Sequence, residues 1–203
     1  DIPDPFTGHL REIDAINSED VAFKDAVKAG ITTVMTSPGS ANVVGGENLA
    51  MKTYGRTVEE MVVKNPVGLK GAFGENPKRV YGQMRKVPIM PMTRMGTAAV
   101  MRQALVDAQN YLDKIEYAKK EGKTPERDLK KENMARVLKK ELPLRVHAHR
   151  ADDILTAIRI AEEFDIDITL EHCTEGHKIA DIIAEKGIPT VIGPTLTSRS
   201  KVE

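Results

Sequence analysis

One phrase occurs three times in this chain: an amphipathic helical stretch, a turn, and a short run rich in β-branched residues. "SEDVAFKDAVKAG" (18–30) runs into "ITTVMT" (31–36), "ADDILTAIRIAEEFD" (151–165) into "IDITLEH" (166–172), and "TEGHKIADIIAEKG" (174–187) into "IPTVIG" (188–193). In the first, Ser18 is the expected N-cap, Val21, Phe23, Ala26 and Val27 form the apolar face, and Gly30 is the stop. In the second, Ile154, Leu155, Ile158, Ala161 and Phe164 recur at helical spacing. In the third, Thr174 stands at the cap and Gly187 at the end. The runs that follow are too short for helices. Consecutive helix–strand units predict an α/β fold, a parallel sheet covered by helices.

The remaining segments fit that frame unevenly. Runs at 67–73 and 143–147 read as further strands, whereas 88–92 ("PIMPM") is too rich in proline. Residues 39–56 read as a glycine-containing loop or irregular strand; "GGEN" lacks the spacing and the following helix of a phosphate-binding turn. "GENPKRVYG" (74–82) reads as turn-rich, with Glu75, Lys78 and Arg79 exposed in a loop. Residues 97–120 and 124–142 are helical, the second expected to start at a Thr124 cap with Pro125 in the first helical position. Their Lys and Glu density marks solvated faces. The block at about 96–142 reads as a helical elaboration of one domain covering 1–203.

Composition narrows the function classes. Thirty basic and thirty acidic side chains leave no net field to attract nucleic acid or an anionic membrane, and without Trp base stacking is a poor expectation. No apolar run approaches the roughly 18 residues of a membrane span. A single cysteine, Cys173, excludes an intrachain disulfide and fits a reducing compartment, so cytoplasm is the default. The chain opens on Asp1 without Met and closes soon after a strand-like run, which reads as a piece of a longer protein.

Two strand ends carry histidine. "LRVHAHR" (144–150) ends a strand at His147, and "DITLEHCTEGH" (167–177) ends one at His172. In folds of parallel strands, ligands gather at the carboxyl ends, where loops vary while strands hold them. Two imidazoles on neighbouring strands can each give a nitrogen to one cation at about 2.0–2.1 Å. His149 and His177 lie beyond the strand ends, where substrate contact and plain exposure are both open, and His9 sits in an irregular segment. Cys173 is expected to point away from His172, and Asp152 and Asp153 read as acids in the first turn of a helix. Lys70, inside the apolar run "VGLKGAF", either snorkels outward or faces a site.

With those residues in view, "KAGITTVMTSPGSANVVGG", "VGLKGAFGENPKRVYG", "RVHAHRADDI" and "ITLEHCTEGHKIADIIAEKGIPTVIGP" resemble the metal-dependent amidohydrolases, in particular the branch related to imidazolonepropionase. The resemblance implies a (β/α)8 TIM-type barrel with one or two divalent ions at its carboxyl end. Zinc is the first expectation, with iron, manganese and nickel as alternatives. It implies His147 and His172 as metal ligands and Lys70, or else Glu75, as a bridging ligand. His172 and Lys70 are the residues it ties to catalysis, and His149 and His177 are candidates for holding substrate. Two departures stand out: no His-x-His precedes the first helix, and no final strand with its Asp follows "PTVIGPTLTSR". The barrel is therefore expected to be incomplete, lacking its first and last strands.

The chemistry that the resemblance implies is hydrolysis of an amide or other C–N bond, cyclic or linear, by a metal-bound hydroxide. These 203 residues alone are expected to be inactive, with a small-molecule substrate, no nucleic acid or membrane partner, and self-association through open barrel ends. The competing reading is a non-catalytic small-molecule-binding barrel that keeps the fold without metal.

Overall fold

The structure is a computed structural model, and it describes residues 4–194 and residue 201. Six strands form one sheet in sequence order: β1 (Thr33–Thr36), β2 (Val44–Lys52), β3 (Val62–Ala72), β4 (Leu144–Ala148), β5 (Ile168–His172) and β6 (Thr190–Ile192). From β3 to β6 every pairing is parallel, as the repeated helix–strand phrase predicts. The first part corrects that expectation. β1 pairs antiparallel with β2, and β2 antiparallel with β3, so the sheet is mixed and curled rather than all parallel. Residues 53–61, which hold only the single-turn helix α2 (Val58–Met61), are too few for a parallel crossover of about a dozen residues or more.

The same region explains three further differences. The strand that opens with "ITTVMT" is an edge strand with alternating exposed and half-buried residues, not a covered one. The preceding helix, α1 (Val21–Lys28), is capped by Asp20, whose carboxylate accepts from Ala22 N, while Ser18 Oγ donates to Arg56 O. β2 is a true strand with bulges; its glycines, Glu47 and Asn48 hid a buried strand behind loop composition. A small core of Leu49, Met51 and Met61, packed by Phe23 and Val34, ties these pieces together.

Helices α3 to α7 accompany the parallel half. α3 (Glu75–Gly82) follows β3 directly, so "GENPKRVYG" is helix rather than loop, and Glu75 is buried rather than exposed. Lys78 is half-buried and Arg79 exposed. α4 (Arg94–Lys120) is capped by Thr93. α5 (Leu129–Leu138) begins later than Thr124–Pro125 predicts, because Asp128 takes the cap and accepts from both Lys130 N and Lys131 N. α6 (Ala151–Phe164) and α7 (Ala180–Glu185) lead into β5 and β6.

Strand alternation divides the sheet into two rows. Leu69, Leu144, Val146, Ile168 and Leu170 face the helices and pack against Met101 and Leu105 of α4, Met134 and Val137 of α5, and Ile154 and Ile158 of α6. Each such side chain contributes about 1.5–3 kcal/mol by leaving water. The other row is polar. Lys70 is level with Arg145, and His147 is level with Glu171, so charge and imidazole line the concave face. Arg145 and Glu171 form an ion pair there. No described helix is long and apolar enough to cross a membrane.

Candidate metal centre

His147 lies near the carboxyl end of β4, and Ala148 is level with His172, the last residue of β5. Regular alternation would put His172 in the helix-facing row with Ala148. It ends there: His172 and Cys173 both take left-handed backbone, φ 71° and 50°. Such conformations cost non-glycine residues about a kilocalorie per mole or more and persist where surrounding contacts impose them. Here Cys173 N donates to Ala148 O at 3.0 Å and Gly176 N to Cys173 O at 2.8 Å. Gly176 is required at that turn, since a Cβ on it would stand 2.4 Å from Cys173 Sγ.

The turn brings three imidazoles together. Ring centroids of His147 and His149 are 4.6 Å apart at 78°, those of His147 and His172 are 4.6 Å apart at 72°, and His149 stacks on His172 at 4.8 Å and 13°. One ligand atom from each lies within 4.8 Å of the others, a group able to hold a metal ion. His147 and His149 are both 2% exposed, which excludes plain exposure as the reading of His149.

The hydrogen bonds sort the ring nitrogens. His172 Nδ1 lies 2.7 Å from Gly193 O, a contact that requires the proton on Nδ1 and leaves the Nε2 lone pair free. His149 Nδ1 pairs with Thr174 Oγ1 at 2.7 Å, also leaving Nε2 to the cluster. An oxygen partner on one nitrogen with the other open is the usual support for a ligating histidine. His147 Nε2 faces Asn76 Nδ2 at 3.1 Å, while its Nδ1 is buried without a partner among the described residues. Burial pushes the His147 pKa down, and burial together with the neighbouring His147 pushes that of His149 down to about 4. At neutral pH both rings are therefore uncharged, the state that binds metal.

A carboxylate meets the cluster from the other side. Gly74, with φ 84°, turns the chain out of β3 so that Glu75 opens α3 over the histidines; a Cβ at Gly74 would strike Asp153 Oδ2 at 2.6 Å. Glu75 Oε1 is 3.5 Å from His147 Nε2 and 4.0 Å from His149 Nε2, and its Oε2 is buried without a hydrogen-bond partner among the described residues. Burial alone would push the Glu75 carboxyl up; contact with His147 holds it below the usual range.

Other sequence candidates fall elsewhere. Lys70 is buried two residues before Ala72, the position level with His147, and its neighbours in charge are Glu171 and Arg145. Burial pushes its ammonium pKa down. His177 is exposed, with Nδ1 3.1 Å from Thr174 O, and is not in the three-histidine group; nor is the buried Cys173. Asp152 pairs with Arg150, and Asp153 with Arg94 at 3.0 Å. Sequence reasoning kept His149 apart from the ligands because it lies past the strand end. The signal that places it was the His-x-His spacing of 147 and 149 read together with the polar residues 172–176.

Comparison with known proteins gives a consistent answer. No family model matches the sequence. A curated protein named Amidohydrolase tasK, from Hapsidospora irregularis, is 26% identical over 202 residues, which span 89% of this chain and 20% of that protein. A crystal structure of an amidohydrolase from Thermotoga maritima MSB8 superposes with a TM-score of 0.94 at 52% identity, covering 99% of this chain and 52% of that one. Both relatives are amidohydrolases. The chain spans about half the length of the Thermotoga amidohydrolase and a fifth of the curated one. The amidohydrolase likeness extends over all the strands that carry the histidine cluster.

Proposed function

We propose that this chain forms part of a metal-dependent amidohydrolase barrel of the imidazolonepropionase-related kind, hydrolysing a C–N bond of a small amide, cyclic or linear. The observation that carries the reading is the histidine cluster: three imidazoles converge, and two of them have Nδ1 tied to oxygen and Nε2 open. His147, His149 and His172 would hold a divalent ion, zinc being the first expectation for an all-imidazole nitrogen set. When bound, such an ion makes a nucleophile available from water at neutral pH and polarises the carbonyl of the bond to be broken.

The protein's own groups supply the rest. Gly193 O and Thr174 Oγ1 fix the ring orientations of His172 and His149, and the buried helix-facing row beneath β4 and β5 holds both strands rigid. Lys70 belongs to this reading as a buried amine on the concave face, its pKa pushed down by burial, available to a substrate or a bridging role. On this reading His177, exposed in the turn after β5, would meet substrate from outside. Support for a barrel comes from the parallel β3–β6 run and from the Thermotoga relative, which is about twice as long. On this reading the 203 residues alone are inactive, because the relative's other half is needed to close the site.

A panel of cyclic and linear amides, assayed with the full-length protein before and after chelation, tests the proposal. Hydrolysis abolished by chelation and restored by a divalent ion is the expected result. Undiminished hydrolysis in the chelated protein overturns the metal-dependent reading, and stoichiometric amide binding without turnover or metal favours the non-catalytic barrel.

A further inference from the structure

We infer that Glu171 is a positioning residue that sets the affinity of the histidine cluster for a cation, acting through Lys70 and Arg145 rather than as a ligand. The inference rests on the metal-centre reading above. Strand register places the three groups on adjacent levels of the concave face. Lys70 is level with Arg145, and one level nearer the carboxyl ends Glu171 stands beside His147. The two levels are about 6–7 Å apart along the strands. Glycines make room for the cations. A Cβ on Gly68 would stand 2.7 Å from Arg145 Cγ and Cδ, and one on Gly45 would stand 3.1 Å from Lys70 Cγ. Both stems therefore cross positions that glycine leaves open.

The charges of this layer do not cancel. Lys70 is 5% exposed and Glu171 8%. Among the described residues Glu171 is the carboxylate that meets both cations: it forms the ion pair with Arg145, and it opposes the effect of burial on Lys70. Arg145 Nε is buried without a hydrogen-bond partner among the described residues, so the pairing of the guanidinium falls to that one carboxylate. The excess positive charge reaches the site. Burial, and behind it His172 and Lys70, push the His147 pKa down. What disfavours a proton on that ring also disfavours a divalent ion beside it, and more strongly, since the ion carries twice the charge. Salt screens such an interaction weakly in a buried layer. Without Glu171, two buried cations would lie beneath the ion with no opposite charge in contact with them.

The test uses the full-length protein stripped of metal and titrated with Zn2+ alone in competition with a chromogenic chelator, with far-ultraviolet circular dichroism as the check on folding. The variants are Glu171→Gln, Lys70→Met, the double variant Glu171→Gln/Lys70→Met, and His172→Ala. Glu171→Gln should weaken Zn2+ by more than about tenfold, the scale on which partners behind a metal ligand act. Lys70→Met should bind Zn2+ more tightly than the wild type, and the double variant should recover most of the loss. A double variant as weak as Glu171→Gln overturns the inference, because a role in shape alone is not rescued by removing a cation. Weakened binding in Lys70→Met also overturns it and returns Lys70 to a bridging role. If Glu171→Gln fails to fold, Lys70→Met decides: tighter binding supports the charge layer, and unchanged or weaker binding rejects it. Wild-type affinity in Glu171→Gln, with binding lost in His172→Ala, removes Glu171 while leaving the metal centre standing. No Zn2+ binding by the wild-type protein overturns both.

Discussion

The imidazoles of His149 and His172 stack at 4.8 Å with their planes 13° apart, each held by an oxygen on its Nδ1. A stack this close, inside the fold, is stable only while at least one ring is neutral. His149 has its pKa pushed down to about 4, first by burial and then by His147, against about 6.5 for a free histidine. As pH falls, the unfolded chain takes the proton before the folded one does, so stability is whole above about 6.5 and is drawn down between there and about 4. Differential scanning calorimetry on the metal-free protein at pH 7, 5.5 and 4.5 should show a falling Tm. In His149→Gln the decline should be shallower; an equal slope in both would remove His149 as its source.

Gly176 is a packing requirement rather than a flexible joint. With Cys173 Sγ 2.4 Å from where a Cβ would stand, Gly176→Ala must shift the turn that sets the backbone at His172. We expect a loss of about 1–3 kcal/mol in urea denaturation, accompanied by weaker Zn2+ binding. A stable variant with unchanged metal affinity would show that the turn does not position the ring.

An ion pair between helices holds the buried end of α6. Asp153 is 4% exposed, and burial pushes its carboxyl up while the Arg94 guanidinium opposes that shift. Arg94 Nε donates to both carboxylate oxygens, at 3.0 and 3.1 Å. Replacing Arg94 by Met leaves a buried carboxylate with less to pair with and should cost about 2–4 kcal/mol, with Arg94→Met/Asp153→Asn recovering part of it. A loss below about 0.5 kcal/mol, the range of surface substitutions, would show that water serves Asp153 equally well.

Asp128, not Thr124, starts α5. Asp128→Ala should lower stability by about 1 kcal/mol, the usual worth of such a cap, and Thr124→Ala should not be measurable. Chemical denaturation of the two variants compares them directly; the reverse order would place the helix start where the proline had indicated.

These cases show how unevenly the chain reads. β4 and β5 were legible with their histidines, because Leu144 and Val146, and Ile168 and Leu170, alternate with polar residues between turn signals. β2 was obscured because Gly45, Gly46, Glu47 and Asn48 carry loop composition into a strand whose burial comes from its neighbours. The antiparallel pairing of β1 and β2 depends on connection lengths that propensity does not report. Glu75 looked like an exposed loop acid because a Gly-Glu-Asn-Pro run favours turns locally; its burial is decided by α6 and by His147, which are distant in sequence. The candidate histidines named from the sequence sit at or just past the ends of regular strands, whereas the left-handed turns at Gly74 and at His172 and Cys173 that bring the cluster together leave no periodic signal.

The central claim is that His147, His149 and His172 hold one divalent ion. Elemental analysis of the full-length protein, purified without chelator beside His147→Ala, His149→Ala, His172→Ala and His177→Ala, tests it most directly. The account expects stoichiometric metal in the wild type and in His177→Ala, and its loss in the other three variants. Full metal retained in His147→Ala, His149→Ala and His172→Ala would contradict it.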